Sequence, residues 1–180
     1  MDEAEQRSDP GDAGKAYPDP GSGVVVNAML CDGAFVMNDL VYVKGGVRHV
    51  FAGSGSPLQV SAVGMGAHIE PSPRRSSGRH MLQVRLREIR DGKASAELPL
   101  GWRAQPGTSR AEPVVVLEYQ LEYQSRSPAE PTAAGNRVRI PFAVNFTGLE
   151  VPSPGDYEFV LSIDGLAVRS VPFRVDQTPG

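Results

Sequence analysis

The stretch Arg139-Ile140-Pro141-Phe142-Ala143-Val144-Asn145-Phe146 decides the fold. Successive side chains of an extended chain point to opposite faces, so Ile140, Phe142, Val144 and Phe146 share one face. Arg139, Pro141, Ala143 and Asn145 share the other. The same period of two recurs outward from this segment. Val115, Leu117, Tyr119, Leu121 and Tyr123 alternate with the polar Glu118, Gln120 and Glu122, and Leu82, Val84 and Leu86 alternate with Gln83, Arg85 and Arg87. Strands with one apolar and one polar face pack that apolar face on a core and wet the other, as antiparallel sheets do.

Turn chemistry joins these strands. Asp164-Gly165 suits a two-residue type I′ turn, which needs positive φ at both central positions. That turn sets Ile163 opposite Leu166 and Leu161 opposite Val168, with Tyr157, Phe159, Leu161 and Ile163 facing inward. Carried further, the register turns Phe173 and Val175 outward. A bulge near Pro172 is therefore expected to return them to the core, since proline is tolerated at bulges and edges. Asp91-Gly92 and Asn38-Asp39 are further turns, and residues 71–78, 99–113 and 125–135 read as Pro/Gly/Ser-rich loops. About eight strand elements are expected, at 24–31, 34–37 with 40–50, 58–70, 80–90, 93–98, 114–124, 136–146 and the 156–175 hairpin. With no amphipathic helix and no internal repeat, the fold class is all-β, a single antiparallel, immunoglobulin-like β-sandwich.

The chain has 180 residues, 40% of them hydrophobic, which suits one domain with one core. Gly and Pro make up a fifth of it, which disfavours long helices. Residues 1–23 are acidic and carry almost no apolar side chain larger than Ala, so they cannot offset their ordering entropy and are expected to be disordered. The domain is placed at 24–176, with a short tail at 177–180. The tail at 1–23 holds six acids and two bases, which leaves the domain close to neutral within a net charge of −3. Near-neutrality removes electrostatic support for a nucleic-acid partner. A single cysteine permits no internal disulfide and favours a reducing compartment. No apolar run is long enough to cross a bilayer, and the start lacks the basic and apolar parts of a signal peptide. The expectation is a cytoplasmic protein with no membrane association. The excess of Arg over Lys, with the Ala, Gly and Pro bias, suggests a high-GC bacterial gene.

Chemistry is sparse. Cys31 beside Asp32 could be a nucleophile, but it ends an apolar run, where cysteine behaves as a small buried hydrophobe, and burial is the preferred reading. His49, His68 and His80 have no zinc-ligand spacing, although adjacent strands could bring His68 and His80 together. Gly45-Gly46 and Gly53-Ser54-Gly55-Ser56 lack the helix N-terminus that a phosphate loop needs. Gly64 and Gly66 sit inside a strand, where glycine marks a bulge or a close backbone approach. Asn145-Phe146-Thr147 matches a glycosylation sequon by accident, mid-strand. Arg74, Arg75 and Arg79 form the densest basic cluster, continued by Arg85, Arg87 and Arg90. They could meet an acidic partner or the chain's own tail, though solvated edge charges are the simpler reading. Trp102, the only tryptophan, is expected to cap an open end of the core; exposed, it would stack on a ligand or anchor an interface.

Leu30-Cys31-Asp32, Gly45-Gly46, Pro154-Gly155-Asp156-Tyr157-Glu158-Phe159, Asp164-Gly165 and Pro172-Phe173-Arg174-Val175 occur in an order that resembles an uncharacterised bacterial family of unknown function. The likeness spans most of 28–175. At Asn38-Asp39 the family usually has Gly-Lys. The resemblance implies a compact β-sandwich and carries no activity. No cofactor or metal is expected. The leading expectation is a non-enzymatic interaction module with a protein partner. The alternative is a small-ligand or carbohydrate-binding sandwich using Trp102, and the third is an enzyme built on Cys31 or the histidines.

Overall fold

A computed structural model of the chain describes residues 23–71, 78–104, 111–123 and 139–178. The expected disorder of the N-terminal tail lies outside these residues, as do Arg74 and Arg75. Among the described residues every regular element is a strand: β1 (Val25–Cys31), β2 (Gly33–Met37), β3 (Leu40–Lys44), β4 (Val50–Ser54), β5 (Leu58–Glu70), β6 (Gly78–Arg90), β7 (Lys93–Leu98), β8 (Gly101–Ala104), β9 (Ala111–Val114), β10 (Val116–Tyr123), β11 (Ile140–Val151), β12 (Gly155–Ile163) and β13 (Leu166–Gln177). No helix among them is long and apolar enough to cross a membrane.

The all-β class holds, but the hydrogen bonding makes one continuous main sheet where two were expected. β11 pairs the whole of one edge of β5, and β1 and β4 share the other. The sheet continues through β4, β13, β12 and β6, and ends on β10 and β7, which divide the far edge of β6 between them. One pairing, β13 with β4, is parallel, so the sheet is not wholly antiparallel. The sheet curls until its two ends meet through side chains. Tyr119 of β10 stands edge-to-face on Phe142 of β11, ring centroids 5.0 Å apart. Inside the curl, Phe146, Phe159 and Phe173 stack at 4.8 and 5.0 Å, and Phe51 meets Phe173 edge-on. Offset and edge-to-face contacts of this kind add to the area that the rings bury.

The alternating segments fall as read. Phe142, Val144 and Phe146 are buried and Asn145 is on the opposite face; Leu82, Val84 and Leu86 are fully buried. Val115 is an exception: it lies between β9 and β10 and is exposed. The β12–β13 hairpin turns at Asp164-Gly165, both at positive φ, and pairs Ile163 with Leu166. Its bulge lies beside that turn, between Leu161 and Ser162, and not near Pro172 as expected. Leu161 therefore opposes Arg169 rather than Val168, and the register that puts Val171, Phe173 and Val175 inside is set without a bulge at Pro172. Pro172 is exposed, and β13 runs on to Gln177, into the expected C-terminal tail. At the entry to β12, Tyr157 donates its hydroxyl to the Ser153 carbonyl at 2.5 Å, four residues upstream. That is the geometry of a tyrosine corner in β-sandwiches. Burial raises the Tyr157 pKa above the ordinary tyrosine value.

Residues 99–113 are not simply a loop. β8 and β9 form a two-stranded ribbon there, pairing Trp102 with Pro113, while Leu100 is buried. Gly-Trp-Arg-Ala and Ala-Glu-Pro-Val carry no apolar alternation, so the periodicity that revealed the other strands is missing. Residues 40–50 likewise divide into β3 and β4, with a turn at Gly45 and Gly46, both at positive φ.

Candidate interaction surface

The sequence candidates do not converge. Cys31 is fully buried, and its thiol donates to the Gly33 carbonyl at 3.0 Å. Burial pushes the thiol pKa up, which is the wrong direction for a nucleophile. His68 and His80 are not brought together, because β5 and β6 are not paired. His68 lies in register with Asn27 and Pro141. His80 Nδ1 lies 2.7 Å from Asp164 Oδ2, and Asp164 Oδ1 accepts the Met81 N–H at 3.0 Å. This carboxylate ties the β12–β13 turn to β6. Among the described residues no three metal-ligating side chains cluster.

Arg79 is exposed at the start of β6. The arginines that seemed to continue the basic cluster are paired: Arg85 and Arg87 both reach Glu97, at 3.3 and 3.5 Å, and Arg90 reaches the buried Glu88 at 3.0 Å. The open positive stripe is therefore shorter than the sequence suggested. Trp102 does not cap the core. It is 55% exposed, and Leu100 takes the buried place instead.

Among the described residues a contiguous group of exposed apolar side chains lies on β2 and β3. Strands β2 and β3 form a separate hairpin, closed by Asn38 and Asp39 at positive φ. Its cross-strand pairs are Ala34 with Val43, Phe35 with Tyr42, Val36 with Val41, and Met37 with Leu40. Opposed residues share a face. The face bearing Ala34, Val41 and Val43 lies on β5 at Gly66, where a Cβ would come within 2.7 Å of Val41 and 3.2 Å of Val43. At Gly64 a Cβ would fall 2.5 Å from the Gly33 backbone. The two glycines thus mark the close approach expected of them, and they are what allow the hairpin to lie flat on the main sheet. Asn145, on the outward face of β11, completes the seat. Its Oδ1 accepts the Ala34 N–H at 2.8 Å and its Nδ2 donates to the Ala34 carbonyl at 2.7 Å, so that the amide acts as a one-residue strand partner.

The other face points to solvent. Phe35 and Tyr42 stack at 5.1 Å with their planes 8° apart, flanked by Met37 and Leu40. Phe35 is 52% exposed and Leu40 54%. Val47 and Val50, just beyond the hairpin, are exposed as well. The signal was present in Phe35-Val36-Met37-Asn38-Asp39-Leu40-Val41-Tyr42-Val43. A two-residue hairpin that is apolar on both faces can bury only one of them against a single sheet.

A family model described as a family of unknown function, DUF6941, matches residues 27–176. No curated protein sequence matches the chain. Among solved structures, the alkylpurine DNA glycosylase AlkC of Pseudomonas fluorescens, bound to DNA containing an abasic-site analogue, is similar at 10% identity and a TM-score of 0.41. That match covers 86% of this chain and 31% of the glycosylase. A mutant β-glucosidase of Listeria innocua in complex with laminaribiose is similar at 9% identity and a TM-score of 0.43, covering 90% of this chain and 16% of the enzyme. The chain spans less than a third of either structure.

Proposed function

The chain belongs to the DUF6941 family of unknown function, and we propose that it is a non-enzymatic, sandwich-like interaction module whose contact surface is the outward face of the β2–β3 hairpin. The observation that carries this reading is the stack of exposed Phe35 on half-buried Tyr42, with exposed Met37 and Leu40 beside it. Aromatic side chains and methionine are the types enriched in protein interfaces, and contiguous exposed apolar patches mark binding sites. The hairpin is held by Asn145 and by the close approach at Gly64, so its face is presented ready-made and a partner loses little entropy in ordering it. The partner is a protein with its own apolar patch, not a nucleic acid, because the face is apolar apart from Lys44 at its end. The buried free thiol of Cys31 accords with a reducing, cytoplasmic setting, and the excess of Arg over Lys with a bacterial source.

The test is a photoreactive residue placed at position 40 and activated in cells. A discrete cross-linked species is expected, lost when Phe35→Asp is added and absent when the same residue stands at position 93, at the start of β7. Equal labelling from positions 40 and 93 would remove the reading.

The exposed Trp102 supports the second reading, a small-ligand or carbohydrate site on the β8–β9 ribbon. Quenching of its fluorescence by an added sugar, abolished in Trp102→Ala, would favour that reading over the first.

A further inference from the structure

We propose that two copies of the chain pair through the free edges of their β3 strands, forming a two-fold dimer with a four-stranded sheet β2–β3–β3–β2 across the interface. The inference shares the hairpin with the proposed function but uses its edge rather than its face.

The argument begins with backbone direction. In an antiparallel pair, residues alternate between those that exchange hydrogen bonds across the pair and those whose N–H and C=O point away from it. Asn145 takes both the N–H and the C=O of Ala34, so the Ala34–Val43 pair is one that points away. Val36–Val41 is another by alternation. The N–H and C=O of Val41 and Val43 therefore point out of the far edge of β3, and among the described residues β3 has no strand partner except β2. An apolar edge strand left open in this way is a template for a further strand.

The occupant follows from self-complementarity. Antiparallel pairing of β3 with its own copy, centred on Tyr42, sets Val41 opposite Val43 of the copy twice over. All four outward N–H and C=O pairs are then used. Shifting by two residues either way brings Asp39 or Gly45, both at positive φ, into the ladder and loses half of these bonds. A shift of one residue sets inward-pointing groups against outward ones. The centred register also places the exposed Leu40 opposite Lys44, whose methylene stem can cover it. It brings Asp39 at one end of β3 next to Lys44 of the copy. The one acid and one base of the segment thus meet twice, as an isologous contact requires.

The experiment uses the full chain and two kinds of variant. Sedimentation should show a concentration-dependent dimer. Val43→Pro deletes an edge N–H without touching the β2–β3 ladder, and should raise the dimer dissociation constant by about thirtyfold, two hydrogen bonds being lost per dimer. Tyr42→Cys should form a disulfide-linked dimer under mild oxidation, since opposed residues of a non-bonded antiparallel pair lie about 4.5 Å apart, within disulfide range. Neither Leu40→Cys nor Lys44→Cys alone should cross-link, but a mixture of the two should. Cys31 is buried and leaves the background low. A chain that stays monomeric at all concentrations, or a dimer indifferent to Val43→Pro in which Tyr42→Cys fails to cross-link, overturns the proposal. A chain that stays monomeric yet still gives a position-40 cross-link to another protein overturns this inference alone, and a Val43→Pro-sensitive dimer without such a cross-link overturns the proposed function alone.

Discussion

The molecule contains two hairpins built by the same local rule and put to opposite uses. Both β2–β3 and β12–β13 are closed by a two-residue turn whose central residues, Asn38-Asp39 and Asp164-Gly165, have positive φ. Both are rich in aromatic and β-branched residues. In β12–β13 the rings of Tyr157, Phe159 and Phe173 are buried within the curled sheet; in β2–β3 Phe35 is left in water against a half-buried Tyr42. Turn chemistry and strand propensity therefore determine that a hairpin forms. What covers it is determined by length and neighbours: β12 lies between β13 and β6, whereas β2 and β3 have one sheet to lie on and two apolar faces.

The largest expected effect separates the two hairpins directly. Phe159→Ala empties a fully buried ring site stacked on Phe146 and Phe173 and should cost about 3–5 kcal/mol in denaturant titration. Phe142→Ala should cost a similar amount for the same reason. A loss below about 1 kcal/mol would mean that the curled core is looser than its ring distances suggest.

Gly64→Ala comes next. The added methyl meets the Gly33 backbone, which cannot rotate away as a side chain would, so a loss of about 1–3 kcal/mol or more is expected. Retained stability with faster amide exchange confined to 33–44 would show the hairpin lifting as a unit while the main sheet stays intact. Asn145→Ala is the milder version of the same test. It leaves the Ala34 N–H and C=O without their partner and should cost about 1–3 kcal/mol, with exchange at Ala34 accelerated. An unchanged exchange rate at Ala34 would show that the amide is dispensable.

The β12–β13 side should also answer to alkaline pH. Burial raises the pKa values of Tyr157 and Tyr119 above their unfolded value of about 10, because it penalises the phenolate. Their contribution is complete below that value and is lost as pH rises through the folded pKa, since the unfolded chain releases its protons first. Stability should therefore fall above about pH 10, and less steeply in Tyr157→Phe. Equal slopes in the two proteins would remove Tyr157 from the alkaline transition.

The sequence made the interior legible where a strand has one wet face. Residues 140–146 and 82–86 alternate cleanly because each meets the core on one side and a wetter surface on the other; in 157–163 Tyr157, Phe159, Leu161 and Ile163 are inside as read, but Val160 and Ser162 on the opposite face are buried too. It was misleading where that asymmetry fails. Proline at 172 points to a bulge there, yet the extra residue sits beside the turn, where Leu161 meets Arg169 and strand twist is easily absorbed. The β8–β9 ribbon carries no alternation at all. The curling of one sheet on itself, in place of two sheets, depends on β4 bridging β5 and β13 through a few residue pairs, which no local pattern announces. Among the candidate site residues, Trp102 and Arg79 are exposed as an interaction role needs. The surface at Phe35 and Tyr42 is not distinguishable from core in the sequence, because both faces of that hairpin are apolar.

The central claim is that the outward face of β2–β3 contributes to contact and not to folding. The double variant Phe35→Asp/Leu40→Asp tests it most directly, with thermal unfolding and photocross-linking from position 37, on the same outward face, measured on the same protein. The account predicts a melting temperature within a few degrees of the parent, because substitutions at exposed sites usually change stability by no more than about 0.5 kcal/mol, together with loss of the cross-linked species. A fall beyond about 4–8 °C, the shift that corresponds to about 1 kcal/mol in a domain near 100 residues, with cross-linking retained, would contradict it and return the face to the fold.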